Sequence, residues 1–355
     1  MPELKCEAEV RLEHLPSYLD KIEDRLESFQ ARASRGADRV DFSFPFGEAR
    51  FDMEPGRLVM KARAQDRDAL ARIKDLLATA IQVYAKAEAP RIRWIGDLAN
   101  ETQLPQFREM SVTMVTRLTS KMLRIRLAGD DLARFAKFGG MHIRMLFPTE
   151  RVPEPEWPVL GENGLALWPA EDRHPTPRVY TIRRLDVERG WMDVDFIIHE
   201  GESVGSRWAE QARPGARVGI MGPVGRPVPL DAEWYVMGCD ETGLPALSRL
   251  LETLPSQTSG AAFIETADEV ERLPIDNRTA IEIRWIARNG IPAGEDARLA
   301  REVTTIEWPQ AKQCFGWFAA ENQAAALVRD HWRGILRLGR DSTLAASYWR
   351  RGTPA

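Results

Sequence analysis

The segment Arg178-Val179-Tyr180-Thr181-Ile182-Arg183 carries three side chains that can serve one ligand. A guanidinium can clamp a diphosphate, a phenol ring can stack on a flat heteroaromatic, and a hydroxyl can hydrogen-bond that ring's edge. A flavin dinucleotide presents all three features. An amphipathic strand with a solvated arginine would read the same way, so these six residues alone leave both readings open. His199-Glu200-Gly201-Glu202-Ser203-Val204-Gly205-Ser206-Arg207-Trp208-Ala209 leaves a strand, turns through glycines and enters a short helix. Exposed amides and a helix N-terminus make an anion site suited to a diphosphate. His199 can contact the flavin or a ribose, or simply end the strand. A third segment, Gly238-Cys239-Asp240-Glu241-Thr242-Gly243-Leu244-Pro245-Ala246, comes after the apolar run Trp234–Met237. Pro245 suits a first helical turn and Thr242 a cap. In a Rossmann-like block a nicotinamide dinucleotide would lie here, although a Gly-rich fingerprint is lacking and an ordinary strand-to-helix turn would look similar. No hydrolytic triad or paired-carboxylate motif is found.

Three blocks must position these residues. In the first, 1–95, a helix places Leu19, Ile22, Leu26 and Phe29 on one face. Val40, Phe42 and Phe44 alternate as in a half-buried strand. Two more strands, Glu48–Met53 and Arg57–Ala62, flank the turn Pro55-Gly56, and a long helix buries Leu70, Ile73, Leu77, Ile81 and Tyr84. This block reads as a small α+β domain, with Ala89-Pro90 to Pro105 as its linker. The second block, 106–229, predicts strands at Ser111–Leu118, Met122–Leu127, Met141–Phe147, Arg178–Arg183, Met192–His199 and Arg217–Met221, with a short helix from Asp131 to Phe138. Such spacing predicts an antiparallel β-barrel, with the Pro-rich insert Pro153–Pro177 as a surface excursion over it. The third block, 230–355, alternates strands Trp234–Met237, Ala261–Glu265, Ile281–Ala287 and Gln313–Phe318 with helices Pro245–Leu254, Ala297–Val303 and Asn322–Trp332. That is the pattern of a Rossmann-like parallel α/β domain.

The bulk numbers narrow the function classes. A net charge of −4 argues against a non-specific nucleic-acid binder, which needs a broad cationic surface. Cys6, Cys239 and Cys314 fit neither a disulfide framework nor a metal-ligand spacing, and are expected to be thiols in a reducing compartment. Met1–Val10 lacks a signal peptide's apolar stretch, and no window approaches the ~20 apolar residues of a membrane span. The expectation is a soluble, cytoplasmic protein without membrane insertion.

Taken in order, these segments resemble the siderophore-interacting protein family of FAD-dependent ferric-siderophore reductases. The resemblance covers roughly 108 to 352. It includes Val115-Thr116-Arg117-Leu118 before Met122-Leu123-Arg124, Ala128-Gly129-Asp130-Asp131-Leu132, and His142-Ile143-Arg144 before Phe147-Pro148. It continues through Arg178–Arg183, Ser206-Arg207-Trp208-Ala209, Pro214-Gly215, Gly222-Pro223 and Asp240-Glu241-Thr242 with Leu244-Pro245-Ala246. It closes with Trp317, Ala319 and Glu321 and with Tyr348-Trp349-Arg350-Arg351-Gly352. The collinear order is what makes it specific. The first block looks like a small domain of unassigned function that occurs alone or fused to such reductases.

The resemblance implies a barrel FAD domain and a nicotinamide-type domain of the ferredoxin-reductase superfamily. Arg178, Tyr180 and Thr181 would hold FAD, with backbone help from Gly205 and Ser206. Asp240, Glu241, Thr242, Trp317 and Glu321 would line the nicotinamide approach. Electrons would pass from NAD(P)H through the flavin to a ferric siderophore. The alternatives are a non-catalytic siderophore- or partner-binding protein of this fold, and a flavin reductase fed by ferredoxin. Because ferric siderophores are often anionic, Lys137, Arg144, Arg350 and Arg351 are candidates for a basic mouth, each equally readable as a surface charge or structural ion pair. Arg284 and Arg288 would favour a 2′-phosphate. Three departures stand out: Ser203-Val204-Gly205 replaces the family's Gly-Pro-Ala, Cys239 replaces a glycine, and Ala320 replaces the glycine of Trp-x-Ala-Gly-Glu. The last two are expected to narrow the space for a dinucleotide's backbone.

Overall fold

The computed structural model describes residues 3–101, 103–137, 140–149, 154–161, 165–199, 203–310 and 312–352. Phe138 of the expected short helix and residues 200–202 of the expected diphosphate turn lie outside them. The chain divides into two compact units: Met1–Phe107 with Pro148–Pro175, and Arg108–Phe147 with Thr176–Ala355. No helix among the described residues is long and apolar enough to cross a membrane.

In the first unit, β1 (Leu4–Arg11), β2 (Arg32–Arg35), β3 (Arg39–Phe44), β4 (Gly47–Glu54), β5 (Arg57–Ala64) and β6 (Arg93–Gly96) form one antiparallel sheet of order β2-β3-β4-β5-β1-β6. Alternation puts Ala8, Val10, Phe42, Phe51 and Met60 into a core with Ile22 and Leu26 of α1 (Leu15–Glu27) and Ile73, Leu77 and Ile81 of α2 (Arg67–Tyr84). Asp66 caps α2 by accepting from the Ala69 N–H at 3.0 Å. Part of the stretch expected as a linker is thus an edge strand, β6, which pairs with β1. Four residues paired on one side leave too short a pattern to read.

The barrel comes next in the chain. Its strands β7 (Phe107–Thr119), β8 (Met122–Ala128) and β9 (His142–Phe147), with α3 (Ala133–Lys137) between the last two, precede the insert. The insert carries a ribbon of β10 (Val159–Leu160) and β11 (Ala166–Leu167). It groups with the first unit: Leu165 packs on that unit's core, and Trp157 meets Phe107 at 5.7 Å. After it, β12 (Thr176–Asp186), β13 (Trp191–Ile197), α4 (Val204–Gln211) and β14 (Arg217–Val224) close a barrel of order β12-β13-β8-β7-β14-β9. Register is fixed by charge as well as by apolar alternation. Arg124 and Arg126 on β8 stand opposite Asp195 and Asp193 on β13 and bind them bidentately at 2.7–2.9 Å. A one-residue slip would bury the arginines among Ile125 and Val194 and strand both buried carboxylates.

The last elements are β15 (Trp234–Cys239), α5 (Leu244–Thr253), β16 (Ser259–Thr266), β17 (Ala280–Ala287), α6 (Arg298–Thr304), β18 (Cys314–Glu321), α7 (Asn322–Asp330) and β19 (Thr343–Trp349). They form a parallel sheet of order β17-β16-β15-β18-β19, reversing direction of growth between β15 and β18. A ligand crevice is expected outside the carboxyl ends at that reversal. Barrel and sheet are locked together within this unit. Arg183, displaced by a bulge in β12, makes a two-pronged ion pair with Glu252 of α5, and Arg249 donates to the Ile182 carbonyl at 2.8 Å. Glu271 accepts from the hydroxyls of Thr119 and Ser120 in the β7–β8 turn.

Candidate flavin and donor site

Arg178 and Tyr180 lie on one face of β12, opposite Met145 and Ile143 of β9. The Tyr180 ring rests 4.4 Å from Phe196 and 6.0 Å from Phe147, and Trp208 of α4 joins that cluster at 5.3 Å from Phe147. Burial pushes the Tyr180 phenol above its ordinary range, against the pull of Arg178, so it stays a neutral donor. The phenol also explains one departure from the family pattern. A Cβ on Gly205 would stand 1.8 Å from the Tyr180 hydroxyl, so only glycine lets α4 approach the strand. Ser203 caps α4, its Oγ accepting from the Ser206 N–H at 3.4 Å. Ser206 Oγ in turn accepts from the His199 N–H at 3.3 Å, tying the end of β13 to the helix. His199 is exposed, and Ser206 is buried in this bridge. The first-turn N–H groups of Val204 and Gly205 have no acceptor inside the helix.

Arg178 is the informative side chain. Its Nη1 donates to the Pro177 carbonyl at 2.8 Å, while its buried Nε has no partner. A buried, unsatisfied N–H on a cation costs free energy that a phosphate oxygen would recover. Beside the Gly205 cradle, this donor set fits the diphosphate of FAD.

Thr181 points to the other face of β12, buried and directly opposite His142 of β9. His142 was singled out by the sequence only as part of a motif; the structure gives it a partner, Tyr348 of β19, with Nε2 and Oη 2.5 Å apart. Burial, with Arg249 nearby, lowers His142 to about 4, so its imidazole is neutral at physiological pH. Arg144 is exposed on this same face. Lys137 is exposed at the end of α3, and Arg350 is exposed just beyond β19. Arg351 is committed to an ion pair with Glu295 at 2.9 Å.

The donor side departs most from expectation. Trp317 is 1 % exposed and packs in the core with Tyr235 and Phe315, so it presents no lining surface. Cys239 and Ala320 also bury their side chains in the two cores flanking the sheet, so neither narrows the crevice. Asp240 Oδ1 accepts from both the N–H and the hydroxyl of Thr242, at 2.9 and 2.5 Å, which folds the turn. Its Oδ2 accepts from the Trp349 indole N–H at 2.7 Å. Burial, aided by the charge of Glu241, raises the Asp240 carboxyl to about 6. Glu321 caps α7 through the Gln323 N–H. Glu241 binds Arg288 bidentately at 2.6 and 2.9 Å, and Glu265 takes the same guanidinium at 3.1 Å. Arg288 is therefore neutralised and buried, and Arg284 is paired with Glu282, so neither stands ready for a 2′-phosphate. Sequence reasoning named Trp349 only within a motif and gave Glu265 no role, because their partners come from distant segments.

A closed antiparallel barrel with an unpartnered, buried arginine Nε and an aromatic cluster, docked to a parallel sheet, is the architecture of a barrel-type flavoprotein. Comparisons with known proteins narrow the class. The family model described as siderophore-interacting FAD-binding domain matches residues 111–227, and that described as siderophore-interacting protein matches 232–352. A third, described as an uncharacterized protein conserved in bacteria, matches 7–95. Ferric vibriobactin reductase of Vibrio cholerae is 31% identical over 259 residues, covering 72% of this chain and 93% of its own length. The NADPH-dependent ferric-chelate reductase of Escherichia coli is 32% identical, with 69% and 93% covered. A siderophore utilization protein from T. fusca has a solved structure matching with TM-score 0.58 at 31% identity, over 70% of this chain and 94% of that one. The chain belongs to the siderophore-interacting protein family.

Proposed function

We propose that this protein is an FAD-dependent oxidoreductase that reduces ferric siderophores and takes its electrons from NAD(P)H. The observation that carries the reading is the unpartnered Arg178 Nε beside the Tyr180–Gly205 cradle, in a chain similar over most of the length of two ferric reductases. Bound FAD supplies the conversion of a two-electron donor's hydride into single-electron transfers. The chain's own residues bind and orient. Arg178 and the amides at Gly205 and Ser206 hold the diphosphate, Tyr180 supports the ring, and Thr181 hydrogen-bonds its edge, with His199 at the mouth. Asp240 and Thr242 border the donor crevice, while Glu241, Glu321 and Trp317 hold its walls. Lys137, Arg144 and Arg350 attract the anionic ferric chelate, while Arg351 is held by Glu295. Iron leaves on reduction because ferrous ion binds hard oxygen ligands less tightly than ferric ion does. Three free thiols, two of them buried, suit a cytoplasmic setting.

The deciding experiment compares Arg178→Ala with Arg350→Ala. The first should purify with little flavin, and the second should keep it and lose affinity for the ferric chelate. Equal flavin content in the two variants refutes the site. One observation favours a second reading, in which a ferredoxin is the donor: the Trp349 indole N–H is bonded to Asp240, in the turn where a nicotinamide would be expected.

A further inference from the structure

The end of α7 carries charge and apolar surface that the flavin and donor sites do not use. After Asp330 the helix widens into a π-turn, His331–Ile335, and the Leu336 N–H reaches back to the His331 carbonyl at 3.0 Å. Arg337 then adopts a left-handed backbone, φ 56°, and the Leu338 N–H returns to the Trp332 carbonyl at 2.9 Å. Trp332 is fully buried, and Leu338 packs on the core to which it belongs. The knob is thus anchored at its base and reversed sharply. Between these anchors Ile335 and Leu336 are 71 % and 39 % exposed. Two successive large apolar side chains held in water on a packed base are costly unless something covers them.

Arginines gather around the same knob. Arg329, Arg333, Arg337 and Arg340 come from α7, the π-turn and the loop before β19, and Arg226 from the connector after β14. Arg226 donates to the Thr343 carbonyl at 2.6 Å and Arg329 to the Ala345 carbonyl at 3.0 Å, so both lie against β19. Burial, with the charges of Arg333 and Arg340 beside it, pulls the Arg226 guanidinium below its ordinary value. Arg333 is lowered likewise, by burial and then by Arg340 and Arg329. Among the described residues none of these arginines is ion-paired, and the Arg333 Nε is buried without a partner. Asp341, whose charge reaches Arg226, gives its Oδ1 to the N–H and hydroxyl of Ser342. The chain as a whole carries −4, so the patch is opposite in sign to the molecule.

We infer that this knob docks the protein on an anionic bilayer surface, with Ile335 and Leu336 entering the acyl boundary and the arginines meeting lipid phosphates. An acidic protein surface would satisfy the charges alone. Adjacent exposed Ile and Leu beside unpaired guanidiniums match a bilayer, where hydrocarbon lies directly under phosphate. No described helix is long and apolar enough to cross a membrane, so the contact is peripheral. Arg226 binds the first residue of β19, which puts the knob at the amino ends of the parallel strands. The donor crevice belongs to their carboxyl ends. Docking therefore leaves that crevice open to a soluble donor.

The test floats the full chain, loaded with FAD, with vesicles of pure phosphatidylcholine and of an equal mixture of phosphatidylcholine and phosphatidylglycerol. Wild type should float with the mixed vesicles only, and added salt should release it, because exposed charges are screened. Arg337→Asn/Arg340→Gln removes two exposed cations and should weaken partition about thirtyfold; asparagine tolerates the left-handed backbone. Ile335→Ser/Leu336→Ser keeps every charge and should weaken it by about tenfold or more. The inference is overturned if wild type floats with neither vesicle, or if either variant, with flavin content and melting unchanged, floats as wild type does. Wild type that ignores vesicles yet is retained by immobilised polyglutamate also overturns it, and assigns the patch to an acidic protein. Reduction of a ferric chelate in vesicle-free solution should be the same in both variants as in wild type, so the reductase reading is tested separately.

Discussion

Replacing Gly205 by alanine tests the flavin site through a sign. At an ordinary helical position, glycine to alanine stabilises by about 0.5–1 kcal/mol, because alanine loses less backbone entropy. Gly205 lies in the first turn of α4, and the added methyl would stand 1.8 Å from Tyr180 Oη and 3.0 Å from Cζ. The ring cannot withdraw freely, with Phe196 at 4.4 Å and Phe147 behind it. Overpacking of this kind costs about 1–3 kcal/mol, which outweighs the helical gain. Gly205→Ala should therefore lower the melting temperature, by about 2–4 °C per kcal/mol in a unit of this size. It should also release FAD, since the displaced ring and helix both belong to the cradle. The double variant Tyr180→Phe/Gly205→Ala removes the closest atom and should recover part of the lost stability, with a coupling of about 1 kcal/mol in the apo protein. Thermal melts and flavin-to-protein absorbance ratios read both effects. A Gly205→Ala protein that melts at or above the wild-type temperature and retains full FAD refutes the cradle.

Glu265 offers a pH test. Its Oε2 is buried without a partner, and burial raises the carboxyl from an ordinary 4.5 to about 7 although Arg288 opposes this. A raised folded-state value means that its contribution to stability is present below about pH 4.5 and is lost as pH rises through about 7. An upper bound of about 3 kcal/mol corresponds to that gap. Glu265→Gln should flatten the decline between pH 5 and pH 8 in denaturant titrations, and an unchanged slope would count against the raised carboxyl. Removal of the chain before about residue 100 should leave FAD bound but expose Leu165 of the insert. Limited proteolysis should then cut within 148–175, and an insert as resistant as in the full chain would show that it does not depend on the first unit.

The barrel strands were legible because each alternates apolar and polar residues between Gly, Pro or Asp breaks, and β8 and β13 repeat Arg-x-Arg and Asp-x-Asp in step. The parallel strands were legible as short apolar runs followed by helical periodicity. β19 was not: Thr343–Trp349 mixes small, polar and aromatic residues at an edge, where only pairing with β18 makes a strand. β1 escaped for a similar reason, since its buried side is built from Cys6, Ala8 and Val10, too small to mark a core.

Residue types and their order by themselves determined the chemistry on offer: an arginine, a tyrosine and a threonine on one strand, a glycine turn after it, and a strand–turn–helix unit beyond. Those are local properties of the chain. The tertiary structure decided which of these groups remain available. It left Arg178 Nε unpaired and put Gly205 under the Tyr180 hydroxyl. It spent Arg288 on two carboxylates and sank Trp317 into the core. It also laid Trp349 across Asp240, a residue 109 positions away. The physical reason is that availability depends on what is paired and buried, and the partners that settle it are brought together by the sheet and barrel rather than by neighbours in sequence.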